Sequence, residues 1–193
     1  MSKDCRLKTI DYRPSTMNHC LLSVVYCLSS IVLLAGCGYT SRSTLPKTIK
    51  TIHVELFKNE IGYATEGKRP IYLPLLEVKV RNVIVDRFLF DGNLKIAKAE
   101  RADLILKGNL KSYERTSLRY TDDGDVQEYR VHITVSLECR NIKTEGGSWT
   151  EAGFVGEATY FVTGALAKSE ESAVDAAIQD LARRIVERTV EDW

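Results

Sequence analysis

The chain has 193 residues, 44% of them hydrophobic, and its 27 Lys+Arg against 26 Asp+Glu leave a formal net charge of +1. Such a balance gives no argument for nucleic-acid binding, so any contact with an anion has to come from local clustering of charge.

The first segment is a leader. Lys3, Arg6, Lys8 and Arg13 precede an apolar run over residues 21–32, which is followed by Leu33-Leu34-Ala35-Gly36-Cys37. Basic residues, a short apolar core and small residues before a cut site are the parts of a secretory signal. Leu-Ala-Gly-Cys resembles the bacterial lipobox, in which the Cys thiol is acylated and the peptide bond before it is then cleaved. The resemblance implies a cut between Gly36 and Cys37. Cys37 would then be the first residue, carrying a diacylglycerol and an N-acyl chain. No other cofactor and no metal is expected. The alternative is a transmembrane anchor, but a spanning helix needs about 20 apolar residues, and this run is interrupted by Ser23, Tyr26, Ser29 and Ser30. Met17 offers a second translation start, which would remove the basic residues and keep the lipobox. A single acyl chain anchors only marginally, at about 0.8 kcal/mol per buried CH₂, whereas the several chains of this modification keep a domain on a membrane. By analogy with one class of bacteria, Gly38 in place of Asp after the lipidated Cys favours the outer membrane.

Taking residues 1–36 from 193 leaves 157, enough for one domain with a core. Four basic and two acidic residues leave with the leader, so 23 basic face 24 acidic and the net charge becomes −1. Cys5, Cys20 and Cys27 leave as well, which makes Cys139 the only thiol beyond Cys37. It can form neither an internal disulfide nor a metal cluster, and on the apolar phase of a strand it reads as a buried, inert thiol.

Residues 37–48 form the lipidated N-terminus and a polar tether, and residues 49–193 the domain. Residues 49–57 alternate, with Ile52, Val54 and Leu56 apolar, and predict a first strand. Over residues 73–90 the period changes: Leu76, Val80, Val83, Ile84 and Phe88 fall at three- and four-residue steps. That favours a helix over a Val-rich strand, with Pro74 in its first turn and Asp91-Gly92-Asn93 as its stop. Leu94-Lys95-Ile96-Ala97 can pair at a sheet edge. Three strands follow, over residues 102–120, 129–140 and 153–162, with turn signals at Asp122-Asp123-Gly124-Asp125 and Gly146-Gly147. A closing helix starts at a Ser169 cap and carries Val174, Ala177, Ile178, Leu181, Ile185 and Val190 on one stripe. The expected fold is an α+β two-layer sandwich, a mostly antiparallel four-stranded sheet with two helices packed on one face.

The other face stays open. If Asp123-Gly124 is a two-residue turn, Arg119 faces Glu128, Ser117 faces Arg130, Arg115 faces His132, Lys111 faces Ser136 and Lys107 faces Arg140. Lys107, Lys111, Arg115, Arg119, Arg130 and Arg140, against Glu128 and Glu138, would then form a locally basic stripe, although a solvated sheet face also favours charged residues without any ligand. Register is decisive, because a one-residue slip exchanges the faces. Glu114, on the apolar parity, points to a bulge or to a sheet end projecting beyond the helices. No Gly-rich phosphate loop, no GxSxG and no metal-spaced His pair is present; His53 and His132 read as separate surface residues. The expected protein is not an enzyme.

Cys37-Gly38-Tyr39, Leu45-Pro46 before Ile52-His53-Val54, Phe57-Lys58-Asn59, the helix from Leu75, and Ala102-Asp103-Leu104-Ile105-Leu106-Lys107-Gly108 with Tyr113 downstream together resemble the LPS-assembly lipoprotein family, LptE. The resemblance implies an outer-membrane lipoprotein lodged as a plug in a large β-barrel partner, LptD. There it would assist barrel assembly and the passage of lipopolysaccharide to the cell surface. Basic residues of the family contribute to lipopolysaccharide contact, and geometry nominates Arg115, Arg119 and Arg130, with Lys107 and Lys111 beside them. Partners are then the barrel, lipopolysaccharide and, through the lipid anchor, the membrane; nucleic acid is not among them. Two other classes remain open: a periplasmic lipoprotein regulating a peptidoglycan synthase, and a ring-forming structural subunit of a secretion pore. Charge reversal by Arg115→Glu and Arg119→Glu is expected to weaken lipopolysaccharide binding without unfolding the domain.

Overall fold

The computed structural model describes residues 45–62, 74–143 and 146–191, all within the unit Arg42–Trp193. The expected signal segment, Cys37 and most of the tether lie outside the described residues.

Where one strand was expected the chain forms β1 (Thr51–Val54) and β2 (Lys58–Asn59), both parallel to the later strand β4 (Leu104–Tyr120). Ile52 lies beside Leu104 and Lys58 beside Asn109. Between them the Glu55 N–H donates to the Leu106 carbonyl at 2.9 Å, so β1 and β2 are one strand with a break. Ile52, Val54 and Phe57 are buried. The Phe57 ring lies flat against β4 at Gly108, where a Cβ would come within 2.1 Å of it.

Helix α1 (Leu76–Asp91) buries Leu76, Val80, Ile84 and Phe88, one residue per turn, against the sheet. Leu75 stands at its N-cap with φ 57°, so Pro74 precedes the helix rather than occupying its first turn. Gly92, at φ 77°, ends it with its N–H donating to the Phe88 carbonyl, a left-handed position that glycine fills without strain. The chain returns as β3 (Lys95–Ile96), parallel to β1 and at the sheet edge, as a crossover through a helix dictates.

β4 then pairs antiparallel with β5 (Val126–Asn141), and β5 with β6 (Trp149–Phe161). The sheet runs β3-β1-β4-β5-β6, with β2 also on β4. It is therefore a mixed six-stranded sheet, which corrects the expected four-stranded, mostly antiparallel one. Alternation marks a strand without revealing its direction, and the helix between β1 and β3 sets that direction. Helix α2 (Glu170–Glu191) starts on its Ser169 cap, whose hydroxyl oxygen accepts the Ser172 N–H at 3.2 Å. Its expected stripe is buried throughout. It packs on β6 at Gly156, where a Cβ would lie 2.5 Å from both the Ala177 carbonyl oxygen and the Leu181 side chain. A Lys79–Asp175 ion pair joins the two helices. Cys139 is buried under this layer, and burial pushes its thiol up to about 12, so it is inert at neutral pH.

Two features frame the domain. At one end Asp103 is buried and ties three segments together. It accepts the Lys50 and Thr51 N–H groups at 2.8 and 3.0 Å and pairs with Lys143 at 2.7 Å. At the other end β4 outruns its cover: burial stops at Leu110, and residues 114–120 are exposed. The end of β4 and the part of β5 paired with it form an arm at this end.

Burial alone would raise the Asp103 pKa, but the Lys143 ammonium and the hydrogen bonds from Lys50 and Thr51 outweigh it and hold the carboxyl at about 2 against an ordinary 3.8. A lowered folded-state pKa contributes stability that is complete above the unfolded value and vanishes as the pH falls through the folded one. Asp103→Asn is expected to cost about 2 kcal/mol near neutral pH, a gap that closes as the pH drops from 3.8 toward 2. Urea unfolding across that range checks it, and a gap independent of pH would contradict it. Gly156→Val should cost about 3 kcal/mol, because α2 must lift off β6; the urea midpoint reads this directly.

Candidate functional site

The polar face of the sheet depends on how β4 registers against β5. From Leu104 to Leu110 the even residues of β4 face the helices, opposite the odd residues of β5. The register shifts between Leu110 and Ser112, making Lys111 a bulge residue, and beyond it Tyr113, Arg115 and Ser117 face the helix side. A second shift between Ser117 and Arg119 turns Arg119 back to the open side opposite Glu128. The hairpin closes through residues 121–125 rather than a two-residue turn. Gly124 is at φ 87°, and the Thr121 hydroxyl oxygen accepts the Asp125 N–H at 3.1 Å.

Of the expected cross-strand pairs only Arg119–Glu128 is present. Thr116, not Ser117, lies opposite Arg130; Glu114, not Arg115, opposite His132; Asn109, not Lys111, opposite Ser136; and Lys107 opposite Glu138 rather than Arg140. Each correction has the same cause, the added residues in β4. The bulge suggested by Glu114 is real, and it puts Glu114 on the open face.

The five nominated cations occupy different surroundings. Lys107 faces the open side and pairs with Glu55 at 3.3 Å, in a cleft of about 380 Å³ that Lys58, Asn109, Ser136, Glu138 and Thr150 also line. Lys111 binds Glu60 at 2.5 Å. Arg119 lies 3.6 Å from Glu128 and 5.9 Å from the centre of the Phe161 ring, with 62% of its side chain exposed. Arg130 and His132 share the Glu157 carboxylate, at 4.0 and 3.2 Å. From Lys107 to Arg119 the strand covers roughly 40 Å, too far for these side chains to form one phosphate-binding cluster. Each of these five cations has a carboxylate partner, so the residues expected to form a locally basic stripe are held in ion pairs.

Arg115 differs from the rest. Its guanidinium donates to Glu170 Oε2 at 2.5 Å, lies 4.6 Å over the Tyr129 ring and hydrogen-bonds Tyr160. The Tyr113 hydroxyl donates to the other Glu170 oxygen at 2.6 Å, and Tyr129 stacks on Tyr160 with centroids 5.8 Å apart. Burial, reinforced by the neighbouring Glu170 carboxylate, pushes the Tyr113 pKa up. Burial works against the charge on Arg115, yet the Tyr160 hydrogen bond and the Glu170 charge still raise its pKa. This cluster clamps the first turn of α2 to the root of the arm. Sequence reasoning missed it, as it missed the Asp103 tie, although Glu114 out of phase and an Asp inside the apolar run 102–106 were visible signals. Among the described residues no group of acidic, His or Cys side chains could hold a metal, and no helix is long and apolar enough to cross a membrane.

A family model described as lipopolysaccharide-assembly, LptE, matches residues 49–189. No curated protein matches the chain. Among solved structures, a hypothetical protein of Chlamydia trachomatis is similar at 13% identity, covering 72% of this chain and 95% of that one, with a TM-score of 0.46. A minor lipoprotein of Acinetobacter baumannii reaches 17% identity, 75% and 92% coverage and a TM-score of 0.44. PelC of Paraburkholderia phytofirmans, a dodecamer, reaches 13% identity, 78% and 96% coverage and a TM-score of 0.44. Likenesses at these scores say nothing about activity.

The clamp and the arm respond differently to truncation. Arg115→Ala should lower stability by about 1–2 kcal/mol, because the part-buried Glu170 carboxylate then keeps only the Tyr113 hydroxyl and loses its charged partner. Arg119→Ala should stay within about 0.5 kcal/mol of the parent. Urea unfolding of the two variants side by side is the check; equal losses would remove the distinction.

Proposed function

The chain belongs to the lipopolysaccharide-assembly family LptE, and on that premise we propose that it is a non-enzymatic outer-membrane lipoprotein. It carries acyl chains on Cys37, plugs an LptD-like β-barrel and assists that barrel in placing lipopolysaccharide on the cell surface. The observation that carries this reading is the extent of the match. It begins at Ile49 and ends at Thr189, both buried in the core, and so takes in the domain from its first core residue to its last helix.

The geometry supports the plug reading. Large transmembrane barrels have polar interiors, and beyond Tyr113 the arm exposes Glu114, Thr116, Ser117 and Arg119, with Leu118 and Tyr120 as its apolar members. The tether enters at the opposite end of the sheet, beside Asp103, so an acyl anchor there leaves the arm free to extend into a lumen. Lipopolysaccharide carries phosphates, for which Arg forks are suited. Arg119 and Arg130 on the arm, and Lys107 and Lys111 nearer the tether, are held in partly exposed ion pairs. Such pairs contribute little to stability, and a phosphate can take the place of the carboxylate. Arg115 belongs to the clamp, so charge reversal there would disturb folding and is no clean test of binding.

Affinity purification of the tagged full-length chain from detergent-solubilised outer membranes tests the reading. A stoichiometric large β-barrel partner is expected. Recovery alone, with a cell-wall synthase or as a ring of identical chains contradicts it. With that partner in hand, Arg119→Gln combined with Arg130→Gln is expected to weaken lipopolysaccharide binding several-fold without lowering the melting temperature; unchanged affinity would take the arm cations out of the contact.

A further inference from the structure

We infer that the end of the domain where the tether enters is itself a lipid-contact surface, with Leu89 and Phe90 seated in the interface of an anionic bilayer. The inference rests on the acyl-anchor reading of Cys37.

Leu89 and Phe90, in the last turn of α1, are 60% and 81% exposed, among the most open large apolar side chains described. They do not belong to the buried stripe of the helix, which ends at Phe88. Topology puts them at the tether end. Four residues after Asp91 the chain reaches Lys95, which lies beside Thr51, the first residue of β1, and donates its N–H to the Lys50 carbonyl at 2.9 Å. Ile142, half exposed, follows β5 at the same end, its N–H on the Asp103 carbonyl.

Charge at this end is arranged unlike that of the sheet face. Lys47, Lys50, Lys95 and Arg101 lie within a few residues or one hydrogen bond of Thr51, whose hydroxyl donates to the Arg101 carbonyl. All four are exposed, and among the described residues none of them makes an ion pair. The acids nearby are Asp91, whose carboxylate is engaged by Asn93; Glu100; and the buried Asp103, which is paired with Lys143. Arg87 also leans on this patch, its guanidinium 5.3 Å from the centre of the Phe90 ring.

Apolar side chains flanked by Lys and Arg are what an interfacial surface requires: the former enter the headgroup–acyl boundary and the latter meet anionic headgroups. The tether keeps that surface close to a bilayer. From Cys37 to Leu45 there are eight residue steps, a reach of at most about 28 Å when fully extended.

The test uses the full-length lipidated chain carrying Phe90→Trp, reconstituted in vesicles of phosphatidylethanolamine and phosphatidylglycerol with and without brominated acyl chains. The parent chain supplies the background of Trp149 and Trp193. The added Trp is expected to be blue-shifted and quenched by the brominated lipid. A solvent-like, unquenched Trp on a chain that still floats with the vesicles overturns the lipid contact and leaves the anchor standing. A blue-shifted but unquenched Trp means that protein covers the patch, which also overturns it. A chain with Cys37 intact that does not float overturns the anchor reading and this surface together.

Discussion

The register of β4 against β5 is the constraint on which the rest of the domain depends. Side chains alternate between faces with a period of two, so one inserted residue reverses every later assignment. The bulge at Lys111 does this where the helical cover gives out. Before it, the even residues Leu104, Leu106 and Leu110 fill the core. After it, Tyr113 and Arg115 turn toward α2 and meet Glu170 in its first turn. Without the slip Glu114 would point at the helices and the α2 terminus would lose both of its partners on β4.

This division gives the molecule two unlike ends. At the tether end Asp103 joins the entering chain, the start of β4 and the exit from β5 through one buried carboxylate. Around that tie stand exposed apolar side chains, Leu89 and Phe90, and the cations Lys47, Lys50, Lys95 and Arg101, which make no ion pair among the described residues. At the other end lies the arm, its charges matched strand to strand. A carboxylate beside each cation makes the arm polar without making it strongly basic, which suits a surface enclosed by a polar lumen. The glycines at 108 and 156 serve the layer between the two ends, by admitting Phe57 against β4 and α2 against β6.

Where the pattern was long and unbroken, the chain was readable as it stands. β5 alternates from Tyr129 to Arg140, and the α2 stripe with its Ser169 cap is present residue for residue. The direction of β1 was not readable, because alternation is the same in parallel and antiparallel strands. The faces of β4 were not readable either, since a bulge adds one residue without changing composition. The pairing of the expected basic residues was not readable for a third reason. Glu55, Glu60, Glu157 and Glu170, which neutralise them, come from segments up to 55 residues away in sequence. Only Glu114, out of phase with its neighbours, signalled any of this in advance.

We propose that a membrane barrel encloses the arm. This is tested most directly by a photo-crosslinking amino acid at Thr116, exposed on the open side of the arm, in the full-length chain in intact cells. A covalent adduct with a large outer-membrane β-barrel protein is the result expected of a plug. Adducts only between copies of this chain, or no adduct while the chain is present in the membrane, would contradict it.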